Sequence, residues 1–330
     1  MMDQAMDRRR FLRATGLGLA ALPALGLDGF ASAGPAARTR VALVRTPDRR
    51  DGVKRALALL DLGGVAGRRI VLKPNFNSAD PAPASTHPDT LAQLVVELHE
   101  AGARSITLGE SSGPTNTHRV MEAKGVFDQA ADLRFDVVDY DGIGDGDWVR
   151  FGPAGTHWPE GFWLPRHVVG AEYNVSTACL KTHQYGGVFT MSLKLSVGLT
   201  PKPIRRGMHR SPDMRRMIAE LNTGYRPRLV VLDGVEAFTD GGPSSGELKR
   251  ADVVIAGTDR VAVDAVGLAV LKELGANEAI MGRPIFQQEQ IARAVELGLG
   301  VAGPAAIQLV TDDEAGRAYA AILEGILAPG

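Results

Sequence analysis

The sequence predicts an α/β protein, a three-layer sandwich in which helices cover a mostly parallel sheet. Short apolar segments alternate with amphipathic ones along most of the 330 residues, which is typical of strands and helices built around a parallel sheet. Hydrophobic residues make up 45% and charged residues 23% of the chain, as in ordinary globular proteins. The length suits one large domain or two small ones, so a boundary between two lobes near residue 145 stays open.

The alternation is visible when the segments are taken in chain order. Runs rich in β-branched and apolar residues predict strands at Thr39–Thr46, Arg69–Lys73, Ser105–Gly109, Arg134–Asp139, Ala171–Leu180, Leu229–Asp233, Val253–Gly257 and Ala306–Thr311. Helical spacing predicts helices at Asp51–Leu62, Asp89–Ala101, Val120–Ala131, Asp213–Asn222, Arg260–Leu274 and Ile285–Leu297. The segment Gly142–Arg166 is rich in Gly, Asp, Pro and Trp and has no period, so we expect a loop or a small antiparallel insert there.

The first 33 residues have the three parts of an export signal. Asp7–Arg13 carries the pattern R-R-x-F-L, Ala14–Leu27 is weakly hydrophobic, and Ala31–Ala33 is a small-residue cleavage site. These parts predict a twin-arginine signal peptide at residues 1–33, the twin-arginine (Tat) translocase as a partner during export, and a periplasmic or secreted protein. The apolar stretch of 14 residues is too short to span a bilayer and no later segment approaches it, so no stable membrane span is expected after cleavage. Residues 34–330 are expected to form the α/β domain.

Charge and cysteine content exclude several classes of function. The formal net charge is −1 and the isoelectric point is near 6.7, whereas a protein that binds nucleic acid through phosphates is usually far more basic. We therefore expect no nucleic acid partner. The single cysteine, Cys179, allows neither an internal disulfide nor an iron–sulfur cluster held by the chain's own cysteines. The cofactor is unknown; because the Tat route carries folded proteins, a metal or a preloaded organic cofactor stays open.

Polar clusters follow nearly every predicted strand. Because ligands of open α/β sheets bind at the carboxyl ends of the strands, these clusters predict one crevice for an anionic small molecule. Helix capping and turn formation are the alternative role of any single cluster. The candidate ligand-binding residues are Lys73, Asn75, Thr86, His87, Glu110, Ser111, Ser112, Thr190, Arg206, Asp233 and Asp259.

Two of these clusters have a specific physical interpretation. Thr86-His87-Pro88-Asp89 marks a helix start, either a plain cap or a helix N-terminus that holds an anion. Glu110–Gly113 resembles a turn that binds phosphate or carboxylate through exposed backbone N–H groups. Glu110, Asp233 and Asp259 are candidates for binding a metal or for orienting basic groups. The mature chain has no Walker A loop, no G-x-G-x-x-G after a strand and no H-E-x-x-H.

The segment Lys181–His209 carries the candidate catalytic residues. Lys181 and His183 are two apart on an extended segment and therefore face the same way. The basic residues of the segment alternate with Val, Phe, Met and Leu, which favours partly buried walls over a basic surface loop. Desolvation of a lysine in a cleft lowers its pKa and makes it a usable base or nucleophile. The candidates for proton transfer are Lys181, His183, Lys194 and His209.

The order of these motifs resembles the family called domain of unknown function 362. The resemblance runs from Lys73 to Gly300 and includes K-P-N, T-H-P, G-E-S-S-G, C-L-K-T-H, T-M-S-L-K-x-x-x-G, M-H, D-G, G-G-P, G-T-D and V-D-A. The family more often has K-N where this chain has Lys194-Leu195. Many relatives carry a fused ferredoxin module, which this chain lacks. The resemblance implies an α/β fold and no particular reaction.

A weaker local similarity connects the same segment with the nickel-pincer lactate racemase. The racemase segment has H, then G-G, then K and a following P-G. Here His183, Gly186–Gly187, Lys194 and Gly198 have a comparable layout, although the residues do not align one for one. This similarity implies a proton-transfer base at His183 and a cofactor or substrate contact at Lys194. The sequence thus predicts an exported enzyme with Lys/His acid–base chemistry on an anionic ligand. A non-catalytic ligand-binding or cofactor-delivery protein is the alternative.

Overall fold

A computed structural model describes residues 38–113 and 115–329, and the predicted signal peptide at residues 1–33 lies outside the described residues. The strands are β1 Thr39–Arg45, β2 Arg69–Lys73, β3 Ser105–Glu110, β4 Asp136–Asp139, β5 Trp148–Phe151, β6 Phe162–Pro165, β7 Tyr173–His183, β8 Val188–Thr190, β9 Pro227–Gly241, β10 Gly246–Gly257 and β11 Ile307–Val310. The α-helices are α1 Arg49–Ala58, α2 Pro88–Glu100, α3 Thr117–Ala123, α4 Val126–Leu133, α5 Arg166–Val169, α6 Ser192–Leu195, α7 Lys202–Met208, α8 Met214–Leu221, α9 Arg260–Glu273, α10 Glu278–Met281, α11 Glu289–Glu296 and α12 Glu314–Leu327. Short 3₁₀ turns lie at Asp145–Asp147, Ser196–Leu199, Ile285–Gln287 and Pro304–Ala306.

One nine-stranded sheet forms the centre of the fold. Its order is β11-β1-β10-β9-β7-β2-β3-β4, and β8 pairs with the end of β7. The central strands β9, β7, β2, β3 and β4 are parallel, whereas β10 runs antiparallel to both of its neighbours. The structure confirms the predicted α/β class with a mostly parallel sheet. Strands from both sides of residue 145 belong to this sheet.

Alternation along the strands assigns side chains to two separate layers of core. In β1, Val41 and Leu43 pack into a core shared with α9 and α12, and Ala42 and Val44 pack into a core shared with α1 and α2. Successive strand residues point to opposite faces, so a strand buried on both faces must be apolar throughout. Helices on both faces give the predicted three layers. No helix within the described ranges is long and apolar enough to cross a membrane.

Several predicted elements differ from the observed ones in ways that affect the site. The predicted strand at Ala171–Leu180 continues to His183 as β7. The predicted strands Leu229–Asp233 and Val253–Gly257 are parts of a long hairpin, β9–β10. Within Gly142–Arg166, β5 and β6 form the expected small antiparallel insert. Since β10 is antiparallel, its carboxyl end lies at the edge of the sheet opposite to the ends of its neighbours.

Candidate functional site

A cavity of about 660 Å³ opens at the carboxyl ends of β2, β3 and β7. Parallel strands bring their ends to one edge, and the two-residue extension of β7 beyond Lys181 adds a wall to that edge. Ten residues proposed from the sequence line the cavity: Lys73, Asn75, Glu110, Ser111, Lys181, His183, Thr190, Lys194, Arg206 and His209. Volumes of roughly 300–1,000 Å³ are typical of small-molecule sites.

The floor of the cavity is a buried ion pair. The Lys73 ammonium donates to a Glu110 carboxylate oxygen and to the Pro74 carbonyl. Glu110 also accepts the backbone N–H groups of Phe76 and Ser111, each at 2.8 Å. Burial lowers the pKa of Lys73, and attraction to Glu110 opposes that effect. The pair is held by four hydrogen bonds and has no net charge, so it forms a well-anchored floor.

Close packing against this ion pair explains a glycine in the motif Lys194–Gly198. An added Cβ at Gly198 would lie 2.9 Å from the Lys73 Nζ and 3.0 Å from a Glu110 oxygen. Both distances are shorter than ordinary contacts, and the ion pair is held from several sides. Only glycine therefore lets the turn after α6 lie directly on the floor.

Two buried amines in the cavity lack a carboxylate partner. Lys181 on β7 donates to the Ala84 carbonyl, and burial lowers its pKa to about 8. Lys194 on α6 has a pKa lowered to about 7, first because burial removes its water and then because Lys181 and Arg205 repel its charge. An amine with a pKa near neutrality is part neutral and part charged, as proton transfer requires.

The two cavity histidines have opposite proton arrangements. His183 Nδ1 accepts the Gly187 N–H at 3.2 Å, so the neutral ring carries its proton on Nε2. His209 Nδ1 lies 2.8 Å from the Arg205 carbonyl and donates to it, which leaves a lone pair on Nε2. Burial lowers the pKa of the His183 ring, and partial burial lowers that of the more exposed His209 ring. The ring centroids are 6.3 Å apart. His183 is therefore arranged as a donor and His209 as a base.

Gly187 is the contact that brings His183 and Lys194 together. A Cβ built on Gly187 would lie 2.8 Å from His183 Nδ1 and 2.9 Å from Lys194 Cε. The two side chains therefore both pack into the space that a side chain at this position would occupy. Gly186 beside it has a φ of 84°, a conformation that favours glycine.

A basic segment, Lys202–Arg210, supplies the other side of the cavity. Burial lowers the pKa of Arg205 to about 10, and this guanidinium donates to the Ser111 and Ser112 carbonyls at 2.9 Å. Lys202 pairs with Asp141, which also accepts the Ser111 hydroxyl. Seven Lys and Arg side chains line the cavity. Among the described residues that line it, Glu110 is the one acidic side chain. This excess of positive charge attracts anions.

The Ser111–Ser112 turn has a structural role that differs from the predicted one. The Ser111 N–H donates to Glu110, and the Ser112 N–H donates to Thr117 Oγ1 at 2.9 Å. These N–H groups are therefore used within the protein, and Ser112 does not line the cavity. The turn holds Arg205 in place through its carbonyl groups instead of presenting N–H groups to an anion.

Thr86 and His87 also lie outside the cavity lining. Thr86 Oγ1 accepts a hydrogen bond from the Asn75 N–H at 2.9 Å, which holds the two ends of the loop that precedes α2 together. His87 is the N-cap of α2, where its Nδ1 accepts the Asp89 N–H at 3.1 Å. Of the two alternatives for this helix start, the structure shows the cap.

The two predicted aspartates do not join Glu110. Asp233 accepts hydrogen bonds from the Arg49 guanidinium at 2.9 Å and the Thr90 hydroxyl at 2.7 Å, and it does not line the cavity. Asp259 caps α9 at the opposite edge of the sheet, because it follows the antiparallel strand β10. Among the described residues, no three His, Cys, Asp or Glu side chains gather as a metal site would require. The proposed carboxylate cluster is therefore not formed.

The candidate site residues predicted from the sequence leave out six polar or aromatic lining residues and the buried Asp264, which does not line the cavity. The additional lining residues are Asn77, Tyr185, Lys202, Arg205, Arg210 and Ser244. Four of them lie in the stretch Lys181–Arg210, and the high density of charged residues in that stretch could have identified them as lining residues. Ser244 comes from the β9–β10 turn, whose position depends on strand lengths that the sequence does not define. Asp264 accepts the N–H groups of Ser192 and Leu193, so it anchors the turn that carries Lys194; burial raises its pKa to about 7.

Comparisons with known proteins agree with this architecture. The lactate racemase apoprotein from Thermoanaerobacterium thermosaccharolyticum superposes with a TM-score of 0.50 at 16% identity, over 70% of this chain and 57% of that chain. At this identity the likeness shows the fold, and the matched region spans little more than half of the racemase. A thylakoid-associated protein of Synechocystis sp. is 25% identical over 223 residues, which is 64% of this chain and 67% of that protein.

The family model described as "Domain of unknown function (DUF362)" matches residues 70–269, which is more than half of the chain. That range contains every residue of the sequence-predicted cavity lining, from Lys73 to His209. The match confirms the resemblance found in the motifs. The protein therefore belongs to the DUF362 family.

Proposed function

We propose that this protein is an enzyme that binds a small anionic molecule in the cavity and transfers protons with its lysine and histidine side chains. The main support for this proposal is the composition of the cavity lining. It contains seven Lys and Arg side chains and one carboxylate, Glu110, which is itself paired with Lys73. Lys181 and Lys194 are buried in this lining without a carboxylate partner, and a buried positive charge is costly unless an anion neutralises it. The ligand class consists of small carboxylates or phosphates, and it includes anionic organic cofactors.

The mechanism follows from the hydrogen bonds of the two histidines and from Lys194. The lone pair on His209 Nε2 accepts a proton from the bound molecule, and the Nε2–H of His183 donates to an oxygen that gains negative charge. Lys194 has a pKa of about 7, so near neutral pH it can give a proton to the substrate or take one from it. This arrangement assigns the base to His209, whereas the racemase similarity pointed to His183. Each group faces the same cavity.

Calorimetry of glycolate binding tests whether the cavity binds anionic molecules. Glycolate is a small carboxylate, and ethylene glycol is a neutral molecule of similar size. We expect glycolate to bind with proton uptake at pH 8, because an anion raises the pKa of nearby amines and imidazoles. Ethylene glycol is expected not to bind. Repeating the titration in buffers of different ionisation enthalpy measures the proton uptake.

A pair of arginine variants supplies the control. Arg206→Ala removes a cavity cation, whereas Arg317→Ala removes an exposed cation of α12 that does not line the cavity. We expect weaker glycolate binding only in Arg206→Ala. Equal affinity in both variants, or equal binding of the neutral molecule, would contradict an anion site. Tight binding without turnover of any substrate would favour the alternative, a ligand-binding or cofactor-delivery protein.

Export belongs to the same proposal. The R-R-x-F-L pattern, the weakly hydrophobic stretch and the small-residue site support a twin-arginine signal at residues 1–33. Replacement of both Arg8 and Arg9 by lysine is expected to retain the protein in the cytoplasm of cells that export the unmodified chain. Unchanged export of the double variant would overturn this part of the proposal.

A further inference from the structure

Two polar side chains in the cavity are buried without a hydrogen-bond partner among the described residues. They are Asn75 through Nδ2 and Thr190 through Oγ1, and each is only 6% exposed. Both line the cavity. A buried donor without a partner lowers stability, so such groups are rare in folded proteins and call for an explanation. A bound ligand that accepts hydrogen bonds from these two groups would explain why they have no partner within the protein.

The strand register places Lys181 beside both groups. Lys181 and Thr190 are directly opposite each other in the β7–β8 pair, where side chains on one face lie about 5 Å apart. The Asn75 side chain lies against the Cys179 thiol, which is at most a weak acceptor for its amide, and Cys179 precedes Lys181 by two residues on the same face of β7. The three donors therefore lie near one another in the lining of the cavity.

The loop before α2 fixes this convergence. The Asn75 N–H donates to Thr86 Oγ1, and the Thr86 N–H donates to the Asn75 carbonyl, each at 2.9 Å. The same loop supplies the Ala84 carbonyl, which accepts one N–H of the Lys181 ammonium. An ammonium has three N–H donors, so two remain for a ligand. Among the described residues, no carboxylate forms an ion pair with Lys181.

We propose that Lys181, Asn75 Nδ2 and Thr190 Oγ1 form a subsite for the carboxylate group of the ligand. One cation matches the single negative charge of a carboxylate, and the amide and hydroxyl donors serve its two oxygens. His183 follows Lys181 by two residues on the same face, so the carboxylate lies one strand repeat, about 7 Å, from the proton-transfer groups. This inference rests on the proposed function and specifies the chemical class of its ligand.

Nuclear magnetic resonance of protein with isotope-labelled lysine tests the subsite. The chain has eight lysines, so the Lys181 signal can be followed alone. Saturating sodium acetate is expected to raise the pKa of Lys181 by about 1 or more, because an adjacent anion favours the charged amine. Sodium chloride at the same ionic strength is expected to have little effect. An equal effect of chloride would overturn the subsite.

Two threonine variants separate binding from folding. Thr190→Val removes the cavity hydroxyl, and Thr177→Val removes another unpartnered buried hydroxyl of β7 that does not line the cavity. We expect the acetate dissociation constant to rise about tenfold in Thr190→Val only, the loss typical of one hydrogen bond to a charged group. Equal acetate affinity in the two variants would refute the role of Thr190.

Inorganic phosphate distinguishes failure of the subsite from failure of the proposed function. Weaker binding of phosphate than of acetate at Lys181 supports a carboxylate subsite. Tighter binding of phosphate would overturn the carboxylate assignment and retain an anionic ligand. If neither anion affects Lys181 while glycolate still binds with proton uptake, the subsite is refuted and the proposed function stands.

Discussion

Replacement of Lys194 by methionine is expected to stabilise the protein at neutral pH and to remove part of its pH dependence. The pKa of this amine falls from an ordinary value of 10.5 to about 7 in the folded protein. The difference of roughly 3.5, at about 1.4 kcal/mol for each pKa unit, corresponds to about 5 kcal/mol. Because the folded state holds this proton less tightly, the amine destabilises the protein fully below pH 7, and the effect disappears as pH rises to 10.5.

Methionine has a similar length and no charge, so it fills the same space without the cost of burying an ammonium. Urea unfolding at several pH values between 6 and 10 measures the effect. The unfolding free energy of Lys194→Met should exceed that of the unmodified protein by several kcal/mol at pH 6.5, and this difference should shrink steadily toward pH 10. Lys54→Met changes an exposed lysine of α1 and serves as the control. A difference that is independent of pH, or destabilisation at every pH, would refute the assignment of a desolvated amine.

Three further variants test the surroundings of the site. Lys73→Met should destabilise the protein by about 3–5 kcal/mol in urea unfolding, because it leaves the Glu110 carboxylate buried and unpaired; adding Glu110→Gln should recover part of the loss, and an additive loss would contradict the pairing. Asp264→Asn should flatten the fall in stability that accompanies a rise in pH from 4 to 7, since the folded protein holds the Asp264 proton more tightly than the unfolded chain; an unchanged slope would contradict this effect. Gly187→Ala should alter the chemical reactivity of the Lys194 amine with little change in melting temperature, and unchanged reactivity would argue against close packing at this glycine.

The sheet and most of the cavity could be predicted because local signals determine them. Apolar runs identify β2 and β3, and a parallel sheet then brings Lys73 and Glu110 to one edge without further information. The charge density of Lys181–His209 likewise marked the wall of the cavity. These inferences need only strand direction and the alternation of side chains.

The positions and roles that the sequence did not predict depend on contacts between residues far apart in the chain. Asp259 follows an apolar strand as Lys73 does, but β10 pairs antiparallel with β9, so Asp259 lies at the other edge. A single sequence does not define this direction, because an apolar strand has the same pattern in either orientation. The roles of Ser111 and Asp264 were also hidden, since each depends on a partner many residues away, Arg205 and the Lys194 turn.

Proton exchange catalysed by the cavity tests the central claim most directly. Pyruvate is a small carboxylate whose methyl protons are acidified by the neighbouring carbonyl, and incubation in deuterium oxide allows exchange to be followed by nuclear magnetic resonance. The proposed mechanism predicts exchange above the uncatalysed rate, reduced about 100-fold or more in His209→Gln, which removes the base. Binding of pyruvate without any exchange, or full exchange in His209→Gln, would contradict proton transfer by this site.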